Sequence, residues 1–181
     1  VAKMNRDTLV HVDYPAYGQC EGRPTPASIR ESVKALLPAL ASHWQTTPEA
    51  LRPRLRVFGH SLGCAAALMA MEEHGVKRGT LVAPFYSMMD MARHTVGWPL
   101  CCLLHHRFDN AAALHHLQST GSCQLEVLHG SADEVIPQCQ SAKLAQEFPA
   151  IISYRVIRQG RHNTIFSTDR DSIVAAMLRM R

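Results

Sequence analysis

No C-x-x-C pair occurs in this chain of 181 residues. Its six cysteines, at 20, 64, 101, 102, 123 and 139, show no disulfide-framework spacing. That pattern speaks against a secreted disulfide scaffold or a zinc ribbon, and for a reducing compartment. Long apolar runs are missing too. The longest, Val96 to Leu104, is far short of the ~20 residues of a membrane span. Neither G-x-x-x-x-G-K-[ST] nor G-x-G-x-x-G is present, so nucleotide binding has no support. Charge of one sign is scarce: 19 Lys and Arg against 15 Asp and Glu leave a net +4. These residues are scattered, aromatics make up only 6%, and no basic stripe forms, which excludes nucleic acid as a partner. The chain opens with no signal peptide and contains no repeats or low-complexity tracts.

What is present fits one globular domain over 1–181. Hydrophobic residues make up 46%, enough for an interior. Apolar runs alternate with helix-forming stretches, the pattern of an α/β protein with a mostly parallel sheet and helices on both faces. The pattern predicts strands at Leu9–Tyr14, Leu55–His60, Gly79–Ala83, Leu125–His129 and Ser153–Arg158. It predicts helices at Ala27–His43, Leu62–Gly75, Gln138–Phe148 and Ser167–Met180, with a polar loop at Gln45–Pro53.

One stretch stands out for its context. Gly59-His60-Ser61-Leu62-Gly63 lies between the strand pattern Leu55–Phe58 and the helix-forming run from Cys64 to Glu73. A strand, a G-x-S-x-G turn and a helix together form a nucleophile elbow, which lifts a serine hydroxyl above the sheet edge. The bland alternative is a capping serine at a glycine-flanked helix entry. A serine nucleophile needs a base, and the base an orienting acid, in the chain order Ser, Asp or Glu, His. Asp133 follows the predicted strand Leu125–His129, and His162 follows Ser153–Arg158. Among eleven histidines, only His162 stands at a strand end after both Ser61 and Asp133. Asp133 also reads as a turn or N-cap residue, and His162 as a solvated loop histidine. The N–H of Leu62, just after the nucleophile, is the expected oxyanion donor.

Several further segments carry a resemblance. Asp13-Tyr14-Pro15-Ala16-Tyr17-Gly18-Gln19-Cys20-Glu21-Gly22-Arg23-Pro24-Thr25 resembles D-Y-x-G-Y-G-x-S-x-G-x-P-[ST], and Ala83-Pro84-Phe85-Tyr86-Ser87 resembles S-P-F-T-S. Arg107-Phe108-Asp109, His129-Gly130 with Asp133-Glu134-Val135-Ile136-Pro137, and Gly160 with His162-Asn163 complete the set. The chain is thus similar to α/β-hydrolases of the serine-aminopeptidase-like and protein-depalmitoylase-like branch. The departures are Ala16 for glycine, Cys20 and Ala83 for serine, and Arg161 beside the histidine.

The resemblance implies a serine hydrolase acting on an ester, thioester or amide, with Ser61, Asp133 and His162 as its triad and no cofactor. It implies a small-molecule or acylated substrate and contact with a membrane surface or lipid. The rival is a non-catalytic binding or scaffold domain, to which Arg161 adds weight, since a cation disfavours imidazolium. No His-Gly pair precedes the elbow, so the family's second oxyanion donor is not found. The resemblance further implies an N-terminally truncated domain, the C-terminal part of a longer hydrolase, because the family's third strand has no counterpart. A rewired sheet is the alternative. The location expected is cytoplasmic, or membrane-associated through residues before Val1.

The segment 88–120 reads as a small helical cap walling an acyl pocket, or as ordinary amphipathic packing on the sheet. Within it, Cys101, His105 and Asp109, and Cys102 and His106, fall at helical i, i+4 spacing. Trp98-Pro99 and Leu103-Leu104 make packing the better reading, and no metal is expected.

Overall fold

The structure, a computed structural model, describes residues 8–96, 107–121 and 123–180. Four strands form one sheet in the order β1-β2-β3-β4: β1 (Val57–His60), β2 (Arg78–Val82), β3 (Gln124–Gly130) and β4 (Ile152–Ile157). All three pairings are parallel, with Gly59 opposite Leu81, Leu81 opposite Val127, and Leu128 opposite Arg155. Parallel strands are covered on both faces. Leu81, Leu125 and Val127 face one core cluster, while Val82 and Leu128 face another.

Helix α1 (Pro26–His43) shows how local sequence sets an element. Thr25 and Ser28 form a reciprocal capping box, each side-chain oxygen accepting from the other's backbone N–H, and Pro26 occupies the first turn. Ile29, Val33, Leu37 and Ala41 recur every fourth residue and are buried. Ile29 and Val33 pack on Ala65, Met69 and Ala70 of α3 (Leu62–His74). Burial contributes about 1.5–3 kcal/mol for each large side chain of that stripe.

Helix α3 is buried on nearly every side, because it lies between α1, the sheet and α5 (Asn110–Thr120). Gly75 ends it in the left-handed region at φ 65°. α6 (Cys139–Glu147) completes that face through Leu144. α8 (Arg170–Arg179) covers the other face with Ile173 and Ala176. Arg179 clamps α8 to β3 by donating from Nε and Nη2 to the two carboxylate oxygens of buried Glu126, at 2.9 and 3.0 Å.

Three expectations need correction. Residues 9–14 form no strand. Leu9 is 75% exposed, and among the described residues β1 pairs only with β2. A strand requires a ladder partner for its backbone groups, and among the described residues none adjoins this segment. The polar loop at 45–53 contains a short helix, α2 (Pro48–Leu51), because Thr47 caps it by accepting from Ala50 N. The last helix is broken into α7 (Ile165–Thr168) and α8. Asp169 leaves helical geometry at φ −149°, and its carboxylate caps the new helix at Ser172 N.

Segment 88–120 begins with α4 (Met88–Val96) and ends with α5. α5 buries Ala111, Leu114 and Leu117 in the cluster shared with α3 and the sheet. The middle of the expected cap, 97–106, lies outside the described residues, and with it the Cys101, His105, Cys102 and His106 pattern. No described helix is long and apolar enough to cross a membrane.

Candidate active site

Ser61 joins β1 to α3 with φ 55° and ψ −122°, a backbone conformation that L-residues avoid. The chain pins it there. Ser61 N donates to Val82 O at 3.0 Å, continuing the β1–β2 ladder, and Ser61 O accepts from Cys64 N at 3.0 Å. Gly59 permits the turn: a Cβ there would meet Gly63 O at 2.5 Å and Cys64 Cα at 2.7 Å. Gly63 is under less constraint, because its Cβ would meet only the Tyr14 hydroxyl, at 3.7 Å. Leu62 and Gly63 open α3, so their N–H groups have no intrahelical carbonyl to reach and point their partial positive charge at the space before the helix.

Asp133 stands on the loop after β3. Its side chain is fully buried, and its oxygens are divided between two tasks. Oδ1 accepts from the backbone N–H of Val135 and Ile136, at 2.9 and 2.8 Å, which fixes the carboxylate plane. Oδ2 accepts from His162 Nδ1 at 2.8 Å. Both atoms of the carboxylate are therefore used, and the donor at Nδ1 leaves Nε2 of His162 as an acceptor. The Ser61 hydroxyl donates to that nitrogen at 3.0 Å. His162, 101 positions after Ser61, thus meets it at hydrogen-bond distance and in turn holds Asp133, 72 positions after Ser61, with the three residues at the C-terminal ends of three separate strands.

The loops that carry Asp133 and His162 are locked together by backbone. A Cβ on Gly130 would lie 2.1 Å from Gly160 O. Ser131 N donates to Ile157 O at 2.9 Å, Ala132 N to Gly160 O at 3.0 Å, and Gln159 N to Ser131 Oγ at 2.9 Å.

Two supporting histidines escaped the reading of the sequence. His129, fully buried, donates from Nε2 to Ile136 O at 2.9 Å and stands 3.4 Å from Asp133 Oδ2. Its Nδ1 is buried with no partner among the described residues. Burial pushes its pKa down, against the Ile136 carbonyl and the Asp133 charge. His60 lies with its ring centroid 4.8 Å from that of His162. The H-x₃-D spacing and the His of the elbow were visible in the sequence, but not which loops they would join.

Arg161 does not aim at the imidazole. Its Nε lies 3.5 Å from Glu134 Oε2, and Glu134 in turn approaches His162 N at 3.4 Å. Cys64, beside the elbow, is fully buried and donates to Val82 O at 3.3 Å. Burial pushes its thiol pKa far up, so it holds its proton. No group of three potential metal ligands occurs among the described residues.

A serine in strained geometry between β1 and α3 is thus linked, through a histidine after β4, to an aspartate after β3. A family model described as an alpha/beta-hydrolase family matches residues 25–82, the span from the cap of α1 through the elbow to the end of β2. The chain has the α/β-hydrolase fold. Solved structures place it there independently: a serine hydrolase homologue from Coxiella burnetii, at TM-score 0.58 and 16% identity, overlaps 90% of this chain and 65% of its own. A putative α/β hydrolase from Agrobacterium tumefaciens matches at TM-score 0.60 and 13% identity over 92% of this chain and 66% of its own. Among curated proteins, the uncharacterized protein YfhR of Salmonella typhimurium is 27% identical over 179 residues, which span 92% of this chain and 55% of YfhR. The chain thus spans about half the length of the curated relatives it matches.

Proposed function

We propose that this protein is a serine hydrolase that cleaves an ester, thioester or amide through an acyl-enzyme intermediate. One observation carries the reading: Ser61 Oγ, His162 and Asp133 are linked by hydrogen bonds of 3.0 and 2.8 Å around a serine in strained geometry. Ser61 attacks the carbonyl carbon while His162 Nε2 takes its proton. Asp133 holds Nδ1 protonated and stabilises the imidazolium. The N–H of Leu62 receives the oxyanion. His162 then passes the proton to the leaving group, and a water deprotonated by the same nitrogen releases the acid. No cofactor enters these steps.

The fold of an esterase domain from Rhodothermus marinus, matched at TM-score 0.57 and 19% identity, is compatible with this chemistry. So is that of a puromycin-hydrolyzing peptidase from Mycobacterium tuberculosis, matched at TM-score 0.60 and 20% identity. The Arg161–Glu134 pair weakens one support for a non-catalytic scaffold, since the cation is compensated by a carboxylate; the oxyanion donor not found before the elbow remains the larger one. The substrate is an acylated small molecule or an acylated protein. The test is a fluorophosphonate probe on the full-length protein. The parent is expected to label and Ser61→Ala to lose both labelling and ester hydrolysis, with its melting temperature preserved because the side chain is small. Equal labelling of the two would overturn the assignment.

A further inference from the structure

His60 precedes the nucleophile on β1, and its ring leans against the base rather than away from the site. Its centroid lies 4.8 Å from that of His162 with 35° between the planes. The other side of the contact is closed by α7: Phe166 meets His60 edge-on at 5.1 Å and 78°, and Phe58, two residues back on the same face of β1, at 6.1 Å. His60 is therefore wedged between the base and the helix that follows the base loop.

The two hydrogen bonds of His162 leave one freedom open. They run through Nδ1 and Nε2, and within the play of those two bonds the ring can still roll about its Cβ–Cγ bond. Rolling moves the Nε2 lone pair off the Ser61 hydroxyl, and proton transfer depends steeply on that direction. A plate against the ring face stops the roll. We propose that His60 is a positioning residue that fixes the roll of the His162 imidazole by packing its ring against it. This role rests on the hydrolase reading above.

Neutrality matters because the base becomes positive during the reaction. The groups facing His60 are His162 from the loop after β4, Asp133 from the loop after β3, His129 near the end of β3 itself, and the apolar ring of Phe166 from α7. Burial, and then the facing His162, push the His60 pKa down, only partly opposed by the His162 backbone and Asp133. Its Nε2 is buried without a partner among the described residues, which agrees with an unprotonated nitrogen. The plate carries no charge where an imidazolium must form beside it.

The experiment compares full-length parent, His60→Phe and His60→Leu. Phenylalanine keeps a flat ring, whereas leucine fills the volume without one. The readouts are kcat and KM for a short-chain ester, the melting temperature, and the downfield proton resonance of His162 Nδ1–H. His60→Leu is expected to lose roughly 10²-fold in kcat, the scale for a small misplacement of a catalytic group, with KM unchanged and the resonance broadened or lost. His60→Phe is expected to restore the resonance and most of kcat. Parent-like kcat and resonance in His60→Leu would overturn the proposal, as would a His60→Phe protein that is folded yet as impaired as His60→Leu. A parent that neither labels nor turns over ester overturns the hydrolase reading instead. The resonance then decides the positioning role alone, which fails if parent and His60→Leu give the same signal.

Discussion

Each carboxylate oxygen of Asp133 has its own short contacts: two backbone N–H groups at Oδ1 and the His162 ring at Oδ2. Two backbone donors hold Oδ1, so only an oxygen is tolerated there. In Asp133→Asn the amide must therefore turn its NH₂ toward His162. That group donates to Nδ1, which forces the imidazole proton onto Nε2, where it can no longer accept from Ser61. The expected loss in kcat is about 10⁴-fold with little change in folding, the scale of a wrong tautomer in such a triad. Steady-state kinetics with a matched thermal melt checks this, and a variant that keeps a tenth of the parent rate would refute it. The three residues were legible in the sequence because chain order and strand ends are one-dimensional signals. His60 and His129 were not. The role of each depends on which loops fold against which, and a histidine in a list of eleven carries no mark of that.

Glycines divide the site's elements into tight and loose joints. The first elbow glycine and the last look equivalent in G-x-S-x-G, yet the space around them differs. Gly59 is packed against the α3 backbone, whereas Gly63 has room for a methyl group. The same contrast separates Gly63 from Gly130, whose added Cβ would collide with the carbonyl of Gly160. Gly130→Ala must therefore push the acid loop from the base loop. The expected cost is about 1–3 kcal/mol of stability, the range for overpacking, and a fall in kcat as Asp133 leaves His162. Gly63→Ala, within a helix, is expected to be neutral or to stabilise by up to about 1 kcal/mol. Urea unfolding of both variants decides the matter. A tolerant Gly130 or an intolerant Gly63 would show that these backbone approaches relax freely. Spacing reveals that small residues gather at a turn, but not which of them touches backbone. For a similar reason the helix break at Asp169 was missed: the residue suits a helix interior poorly and a cap well, and only the path of the chain after the base loop chooses. The strand expected at Leu9–Tyr14 failed at this scale too, since apolar alternation states a preference and pairing needs a neighbour.

Across the whole molecule, burial at one end of the sheet links stability to pH. The parallel order of four strands followed from alternating strand and helix patterns, and it brings three loop ends into one volume. That convergence buries His60 and His129 where an extra charge is unwelcome. Both pKa values are pushed below the ordinary 6.5 by burial first, with His162 adding to the push. In the unfolded chain these imidazoles bind a proton near 6.5, whereas in the fold they stay neutral to lower pH. Over that window the unfolded state binds more protons, so stability rises with pH and falls as the medium is acidified through 6.5. Glu134 and Asp169, whose carboxyl pKa values are lowered by hydrogen bonds, act in the same direction at more acid pH. Urea midpoints measured between about pH 8 and about pH 5 are expected to hold steady at first and then decline. His60→Phe removes one of the two histidines while keeping its packing, so its decline should be shallower than the parent's. If the parent's midpoint stays flat or climbs on acidification, the two imidazoles accept protons in the folded state, and the dry, neutral surroundings ascribed to the base are wrong.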